Sequence, residues 1–406
     1  MMSIRFLVFF FLLIPSLAFA VDESAIEKIA ALKPFQGGQT AVMLVDVLTG
    51  DELVAINADK LLNPASCTKL VTSAALLKYL GSDYRVTTRF FTDRKPQQGH
   101  VFTLYVQGEG DPFLVDELLW RMVKDLKRRG LKHIDRDIVI DDSFFASHSY
   151  PRQNDNARRA YAAKTSAFAV NFNSVVVSSG GDRAVYRNVD DPIMSAGQVL
   201  GTLLKQHGIT GKFTVRRGTV PANAYAMSVE ESKPLSLLIR DMNKFSNNFI
   251  AEMLLQHMGA VKFGEPGTTE KGVRVLQDYL ASMGVAKGSY TLENGSGFSD
   301  ETRLTARQLA KVLTASARDF AIGPDLTSSL SLLGIDGTMH RWNSYPHLVG
   351  KIRAKTGSLA GMVSLAGYLP LKNGHPGAFV IVANGLKVSL PEAHQAEMKI
   401  VDLMTR

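Results

Sequence analysis

LLNPASCTKLVTSAALLKYLG, residues Leu61–Gly81, sets a serine and a lysine one helical turn apart where a turn gives way to a helix. Pro64-Ala65 makes a small-residue turn, Ser66 follows, and Lys69 lies three positions on. An apolar-periodic run through Leu70, Ala74 and Leu77 continues to Gly81. That period predicts a helix with one apolar face. A serine at its N-terminus and a lysine one turn on share a face, so hydroxyl and amine come within hydrogen-bond reach. Either Ser66 caps the helix with a surface lysine behind it, or the two are a catalytic pair.

A serine is a poor nucleophile until a base takes its proton. A Ser-His-Asp triad on an α/β-hydrolase would show G-x-S-x-G, which this chain lacks. Its nine histidines are scattered with no H-x-H or H-x-x-H pair, which also argues against zinc. Lysine remains as the base. It must be partly neutral, and desolvation or a second nearby cation would lower its pKa.

S-x-x-K alone is a weak signal, and two companions give it force. KFSNNFIAEM contains the chain's one S-x-N, Ser246-Asn247-Asn248. RAKTGSLAGMVSLAGYLP contains its one K-T-G, Lys355-Thr356-Gly357, leading into a predicted strand. Each has an ordinary reading taken singly: an N-cap, a loop cap, an edge-strand lysine. Together, and in this order, they are the set that marks serine penicillin-recognising enzymes.

On these motifs the chain resembles the penicillin-binding D-alanyl-D-alanine carboxypeptidases/endopeptidases of the low-molecular-mass class that carry a large inserted domain. NPAS, GEGDPFL (Gly108–Leu114), IDDSFFASH (Ile140–His148), GSGFS (Gly295–Ser299) and GIDGTM (Gly334–Met339) extend the likeness over nearly the whole chain. The family's usual D-G-S-G stands here as Asn294-Gly295-Ser296-Gly297. The spacing fits an insertion: Ser66 to Ser246 is 246 − 66 = 180 residues, whereas Ser246 to Lys355 is 355 − 246 = 109.

The resemblance implies Ser66 as the nucleophile, Lys69 as its base, Ser246 as proton relay and Asn248 as a holder of the substrate amide. It implies Lys355 and Thr356 as the site for the substrate's terminal carboxylate, with Lys355 also depressing the pKa of Lys69. The backbone N–H groups of Ser66 and Ser358 would form the oxyanion hole. The substrates implied are peptidoglycan peptides, with β-lactam antibiotics as covalent inhibitors, and no metal or organic cofactor is required. A β-lactamase would need a water-activating group, and no E-x-x-L-N element of the class A kind is present. Glu252, four residues after Asn248, reads as a helix-surface group or a support behind the motif. A catalytically silent peptidoglycan-binding module would have no need of Lys69.

The chain has 406 residues, 46% of them hydrophobic, enough for one large or two ordinary domains. Met1–Ala20 has one arginine, an apolar block and an Ala18-Phe19-Ala20 ending, the layout of a cleaved export signal, which predicts a periplasmic protein with no stable membrane span. Loss of Arg5 with that segment takes the net charge from +8 to +7. Basic runs such as KDLKRRGLKH (Lys124–His133) end an amphipathic helix, where cations suit the helix dipole, so no nucleic-acid partner is expected. Cys67 is the lone cysteine and excludes an intrachain disulfide. It reads as a buried inert thiol.

Hydrophobic patterning predicts an α+β fold. The hairpin Ala41–Val47 and Glu52–Ile56 would join two C-terminal strands in one antiparallel sheet. The Ser66 helix, one from Pro234 to Gly259, and others near Thr268–Met283 and Thr305–Ala317 would flank it. Residues 21–84 and 226–406 would form a discontinuous catalytic domain, and residues 85–225 a strand-rich insertion. Lys164-Thr165-Ser166 imitates the third motif, but its place before Ser246 marks it as structural.

Overall fold

The computed structural model describes residues 21–31, 35, 38–146, 163–178 and 184–406. The expected export segment Met1–Ala20 and the polar stretch 147–160 lie outside the described residues. In chain order the strands are β1 (Gln39–Asp46), β2 (Glu52–Ile56), β3 (Thr87–Thr92), β4 (His100–Gly108), β5 (His133–Asp141), β6 (Ser174–Ser178) and β7 (Ala184–Asn188). They continue with β8 (Thr214–Arg217), β9 (Tyr225–Glu231), β10 (Ser331–Leu332), β11 (Arg353–Leu359), β12 (Met362–Pro370) and β13 (Pro376–Asn384). The helices are α1 (Glu23–Ala31), α2 (Thr68–Leu80), α3 (Asp116–Arg128), α4 (Pro192–Gln206) and α5 (Leu235–Lys244). After these come α6 (Asn248–Phe263), α7 (Thr269–Ser282), α8 (Ala306–Arg318), α9 (Gly323–Ser329) and α10 (Leu390–Met404).

Apolar runs at the two ends of the sequence meet in a six-stranded antiparallel sheet of order β10-β11-β12-β13-β1-β2. Period-2 alternation splits each central strand between two cores. Ala41, Met43 and Val45 join α2 and α5–α8, while Val42 and Leu44 join α1 and α10. Cover on both faces explains why β1, β12 and β13 read as nearly unbroken apolar runs. The K-T-G motif does not merely precede a strand: it lies within β11, which turns at Ala360-Gly361 into β12.

Two helix expectations change. α2 is buried from Thr68 to Leu77 on every side, so its apolar stripe understates its burial. Its polar side chains are satisfied inside: Thr72 Oγ1 donates to Gly295 O at 2.7 Å, and Ser73 Oγ accepts from Asn243 Nδ2 at 2.9 Å. The helix expected from Pro234 to Gly259 is two, α5 and α6, parted at Phe245–Asn247. Ser246 takes φ +52 there, and Asn247 restarts the chain as an N-cap that accepts from Ile250 N at 3.0 Å.

The second sheet has the order β8-β5-β4-β3-β9, with β4–β5 and β5–β8 parallel. Its core takes Leu119, Val123 and Leu126 from α3 and Ile193, Leu200 and Leu204 from α4. The sheet extends to Glu231, past the boundary expected at residue 225, because β9 pairs with β3 from Thr87↔Glu231 onward. β9 is largely exposed and polar, YAMSVEE, and gave no apolar strand pattern. The chain enters and leaves this sheet side by side, where Ser232 N donates to Val86 O at 2.9 Å.

Candidate active site

Asn63 fixes the turn that carries Ser66. Its buried Oδ1 accepts from Ala65 N at 2.8 Å and its Nδ2 donates to Ser299 O at 2.8 Å. These bonds hold Ala65 at φ +46, a conformation that costs a non-glycine residue roughly 1–3 kcal/mol. Ser66 sits in the 3-10 turn Ala65–Cys67, and α2 begins at Thr68 with no side-chain cap at Cys67. Ser66 therefore does not cap the helix.

Glycines clamp this turn from two sides. A Cβ on Gly357 of β11 would collide with Ser364 Oγ and approach Pro64 O to 2.7 Å. A Cβ on Gly297, which already needs φ +72, would collide with Ala65 O. Ser364 Oγ also donates to Pro64 O at 2.6 Å. The catalytic-motif turn is thus packed backbone to backbone between β11 and the 294–297 loop.

Lys69 is fully buried, with Nζ 3.0 Å from Ser66 Oγ, 2.7 Å from Asn248 Oδ1 and 2.6 Å from Ser296 O. Burial, then the nearby Lys355, pushes its pKa well below the usual lysine range, with Glu252 opposing. Lys355 is equally buried and donates to Ser246 Oγ at 2.8 Å and to Thr356 O at 2.6 Å. Desolvation lowers its pKa to about 8. Thr356 Oγ1 lies 2.8 Å from Thr338 Oγ1. Hydrogen bonds thus draw Ser66, Lys69 and Asn248 into one group and Ser246, Lys355 and Thr356 into another. Ser358 is exposed next to Gly357 near the end of β11.

Sequence reasoning missed two contributors. Ser296 supplies a carbonyl to Lys69, and Thr338 supplies a hydroxyl beside Thr356; both lie in segments noted above only for resemblance. Of the two readings of Glu252, helix surface or support behind the motif, the structure has the second. Glu252 is 2% exposed, accepts from Ser296 N at 2.8 Å, and so holds the loop that presents Ser296 O to Lys69. Its place one turn after Asn248 on α6 was the available signal.

The other two sequence readings can be placed as well. Cys67 is 0% exposed, donates to Lys355 O at 3.2 Å, and burial pushes its thiol up to about 11, far from a reactive thiolate. Lys164 donates to Asp190 O at 3.0 Å and buried Thr165 Oγ1 accepts from Gln256 Nε2 at 2.9 Å, so the imitation motif is structural.

The sequence matches the profile described as the D-Ala-D-Ala carboxypeptidase 3 (S13) family over residues 23–183 and 178–406. It is 28% identical to a D-alanyl-D-alanine carboxypeptidase of an Actinomadura species, over 89% of this chain and 80% of that one. It is 24% identical to a D-alanyl-D-alanine carboxypeptidase of Haemophilus influenzae, over 86% of each. Among solved structures, penicillin-binding protein 4 of Haemophilus influenzae superposes with a TM-score of 0.83 at 22% identity, covering 94% of this chain and 99% of that one. The same protein in complex with a β-lactam gives 0.79 at 22% identity and the same coverage. A predatory endopeptidase of Bdellovibrio bacteriovorus gives 0.60 at 18% identity, covering 90% and 93%. With both the fold and the profile agreeing over nearly all the described chain, this protein is a serine peptidase belonging to the D-Ala-D-Ala carboxypeptidase 3 (S13) family.

Proposed function

We propose that the chain cleaves peptidoglycan stem peptides ending in D-Ala-D-Ala, or the corresponding D-amino-acid cross-links, through a Ser66 acyl-enzyme. The three neighbours of Lys69 Nζ carry this reading. A neutral amine offers two N–H donors and one lone pair. Asn248 Oδ1 and Ser296 O can only accept, so they take the two N–H groups. The lone pair is left facing the Ser66 hydroxyl, the arrangement a general base requires.

Acylation then runs as follows. Lys69 takes the Ser66 proton as Oγ bonds to the penultimate D-Ala carbonyl carbon. The N–H groups of Ser66 and Ser358 stabilise the oxyanion. The C–N bond breaks, and Ser246 relays a proton from the lysine side of the site to the leaving amine. Asn248 Nδ2 holds the substrate amide, while Lys355 and Thr356 bind the terminal carboxylate. Water next attacks the ester, its proton returning to Ser66 Oγ through the freed base, and the shortened peptide leaves as an acid. No step calls for a metal or an organic cofactor.

The relatives named as carboxypeptidases and endopeptidases support this reading, and the β-lactam complex of the structural neighbour supports penicillins as covalent inhibitors. The β-lactamase alternative is not favoured. Glu252, the buried carboxylate beside Lys69, is engaged by the 294–297 loop behind the lysine. A silent binding module is not favoured either, since two desolvated lysines, each hydrogen-bonded to a motif serine, serve chemistry and not adhesion. In this reading the block bearing the second sheet is a domain inserted into the catalytic part. Met1–Ala20 delivers the protein to the periplasm, where its polymer lies, and no helix of the described residues is long and apolar enough to cross a membrane.

Fluorescent penicillin and a D-Ala-D-Ala pentapeptide test the proposal together. Wild type should give a covalent band persisting for minutes and should release D-alanine. Ser66→Ala should do neither. Rapid return to the unmodified mass without D-alanine release would replace the peptidase with a β-lactamase.

A further inference from the structure

We propose that His100, His133 and Asp135 bind one divalent transition-metal ion of the zinc type at the start of β4 and β5. In the sequence the two histidines stand 133 − 100 = 33 residues apart and form no metal-ligand spacing. The parallel register unites them, because His100 on β4 is the pairing partner of His133 on β5. Register partners present their side chains to the same face of a sheet, and the register shift that follows Val101 leaves Asp135 beside them, its Oδ1 3.3 Å from His133 Nε2. Within the three residues, each offers a ligand atom within 4.8 Å of the other two.

The second nitrogen of His133 is already occupied. Its Nδ1 lies 2.6 Å from Thr210 Oγ1, the outer partner that ligating histidines use to fix their orientation. Thr210 is itself pinned, donating its N–H to Lys132 O at 2.9 Å and accepting from Ile134 N at 3.0 Å. This leaves Nε2 as the ligand atom, 3.3 Å from Asp135 Oδ1. Metal bonds of about 2.0–2.1 Å in a tetrahedron put neighbouring ligand atoms about 3.3–3.4 Å apart, so this edge of the site is already formed. The His100 ring lies 4.8 Å from the His133 ring, tilted by 32°. His100 is exposed, so a small side-chain rotation closes the third bond.

Two imidazoles and one carboxylate select a zinc-, nickel- or copper-type ion over calcium or magnesium, which prefer oxygen ligands. The nearby Arg136 guanidinium is stacked 4.7 Å from the Phe102 ring centroid. The ion would staple β4 to β5 on the sheet that carries none of the Ser66 machinery.

The test uses the purified intact protein, stripped with a chelator and titrated with Zn²⁺ against a chromophoric competitor. Wild type should take up one equivalent and gain thermal stability on loading. His100→Ala and His133→Ala should each weaken uptake at least about tenfold, and Thr210→Val should weaken it less. All three should acylate with penicillin at the wild-type rate, and wild-type hydrogen-exchange protection of β4 and β5 in the metal-free variants certifies that the second sheet is folded. No uptake by wild type at roughly 100 µM Zn²⁺, or undiminished uptake by the His100→Ala/His133→Ala double variant, would overturn the proposal.

Discussion

The six-stranded sheet is covered on both faces, whereas among the described residues the five-stranded sheet is covered chiefly on one. In the first, β1, β12 and β13 are buried along nearly their whole length between two helical layers. In the second, β3 alternates buried with part-exposed residues, and Phe102, Tyr225 and Val229 stand in solvent. The electrostatics differ accordingly. At the covered sheet, burial drives the pKa values of Lys69, on the packed helix α2, and Lys355, on β11, down. On the open sheet, Asp137 also shifts down, but because Arg216 bonds it at the surface. A lysine becomes a usable base only where water has been removed around it, and the proposed chemistry sits where α2 packs against the doubly covered sheet.

The sharpest break of this contrast is Lys69→Met, which keeps the volume and removes the amine. Penicillin acylation should fall by about 10²–10⁴, with the thermal midpoint held or raised because a desolvated amine is gone. Stopped-flow acylation retaining more than about a tenth of the rate would detach catalysis from the buried lysine. Gly357→Ala comes next. Its Cβ must displace Ser364 or the Pro64 carbonyl and with them the Ser66 turn, so acylation should drop by about 10²-fold. A normal rate would show that the turn tolerates the shift.

The pH response of Lys355 is smaller and graded. Below its pKa of about 8 the ammonium is charged, the form that the proposed role in holding the substrate carboxylate requires. Above pH 8 the charge is lost, and KM for a D-Ala-D-Ala peptide should rise by about tenfold per unit, while an amidated peptide stays flat. Parallel profiles for the two peptides would remove Lys355 from carboxylate recognition. Smallest of all is the effect on acylation of Ile138→Ala, a cavity in the second core. Hydrogen exchange should show β4 and β5 loosened by about 2–4 kcal/mol, with acylation within about twofold of wild type. A large loss of acylation would make the two sheets one cooperative unit.

Much of this was legible from the chain, for identifiable reasons. The hairpin β1–β2, strands β12 and β13, and helices α3, α7 and α8 follow periodicities strong enough to read. Ser66 and Lys69 were legible together because they are local. Their meeting with Ser246, Asn248 and Lys355 was not, since it depends on how β11 and the α5–α6 break pack against α2. Only the order of motifs hinted at it. The break itself escaped because Phe245-Ser246-Asn247 carries no proline or glycine, and Ser246 turns the chain from the left-handed region. Ser296 contributes a backbone carbonyl, which no residue type advertises. Likewise β9 was lost because an exposed edge strand has no apolar face to declare it.

Cys67 has a consequence of its own. It is the chain's one thiol, sealed between the Ser66 turn, the Lys355 carbonyl and Ser364, whose Oγ lies 3.2 Å from Sγ. A maleimide cannot reach it while the turn is seated, and the protonated sulfur would be sluggish even if it could. The rate of alkylation therefore times how often the nucleophile's own support lifts away from β11 and β12. Without any engineered label, the protein carries a clock for the breathing of its catalytic groove.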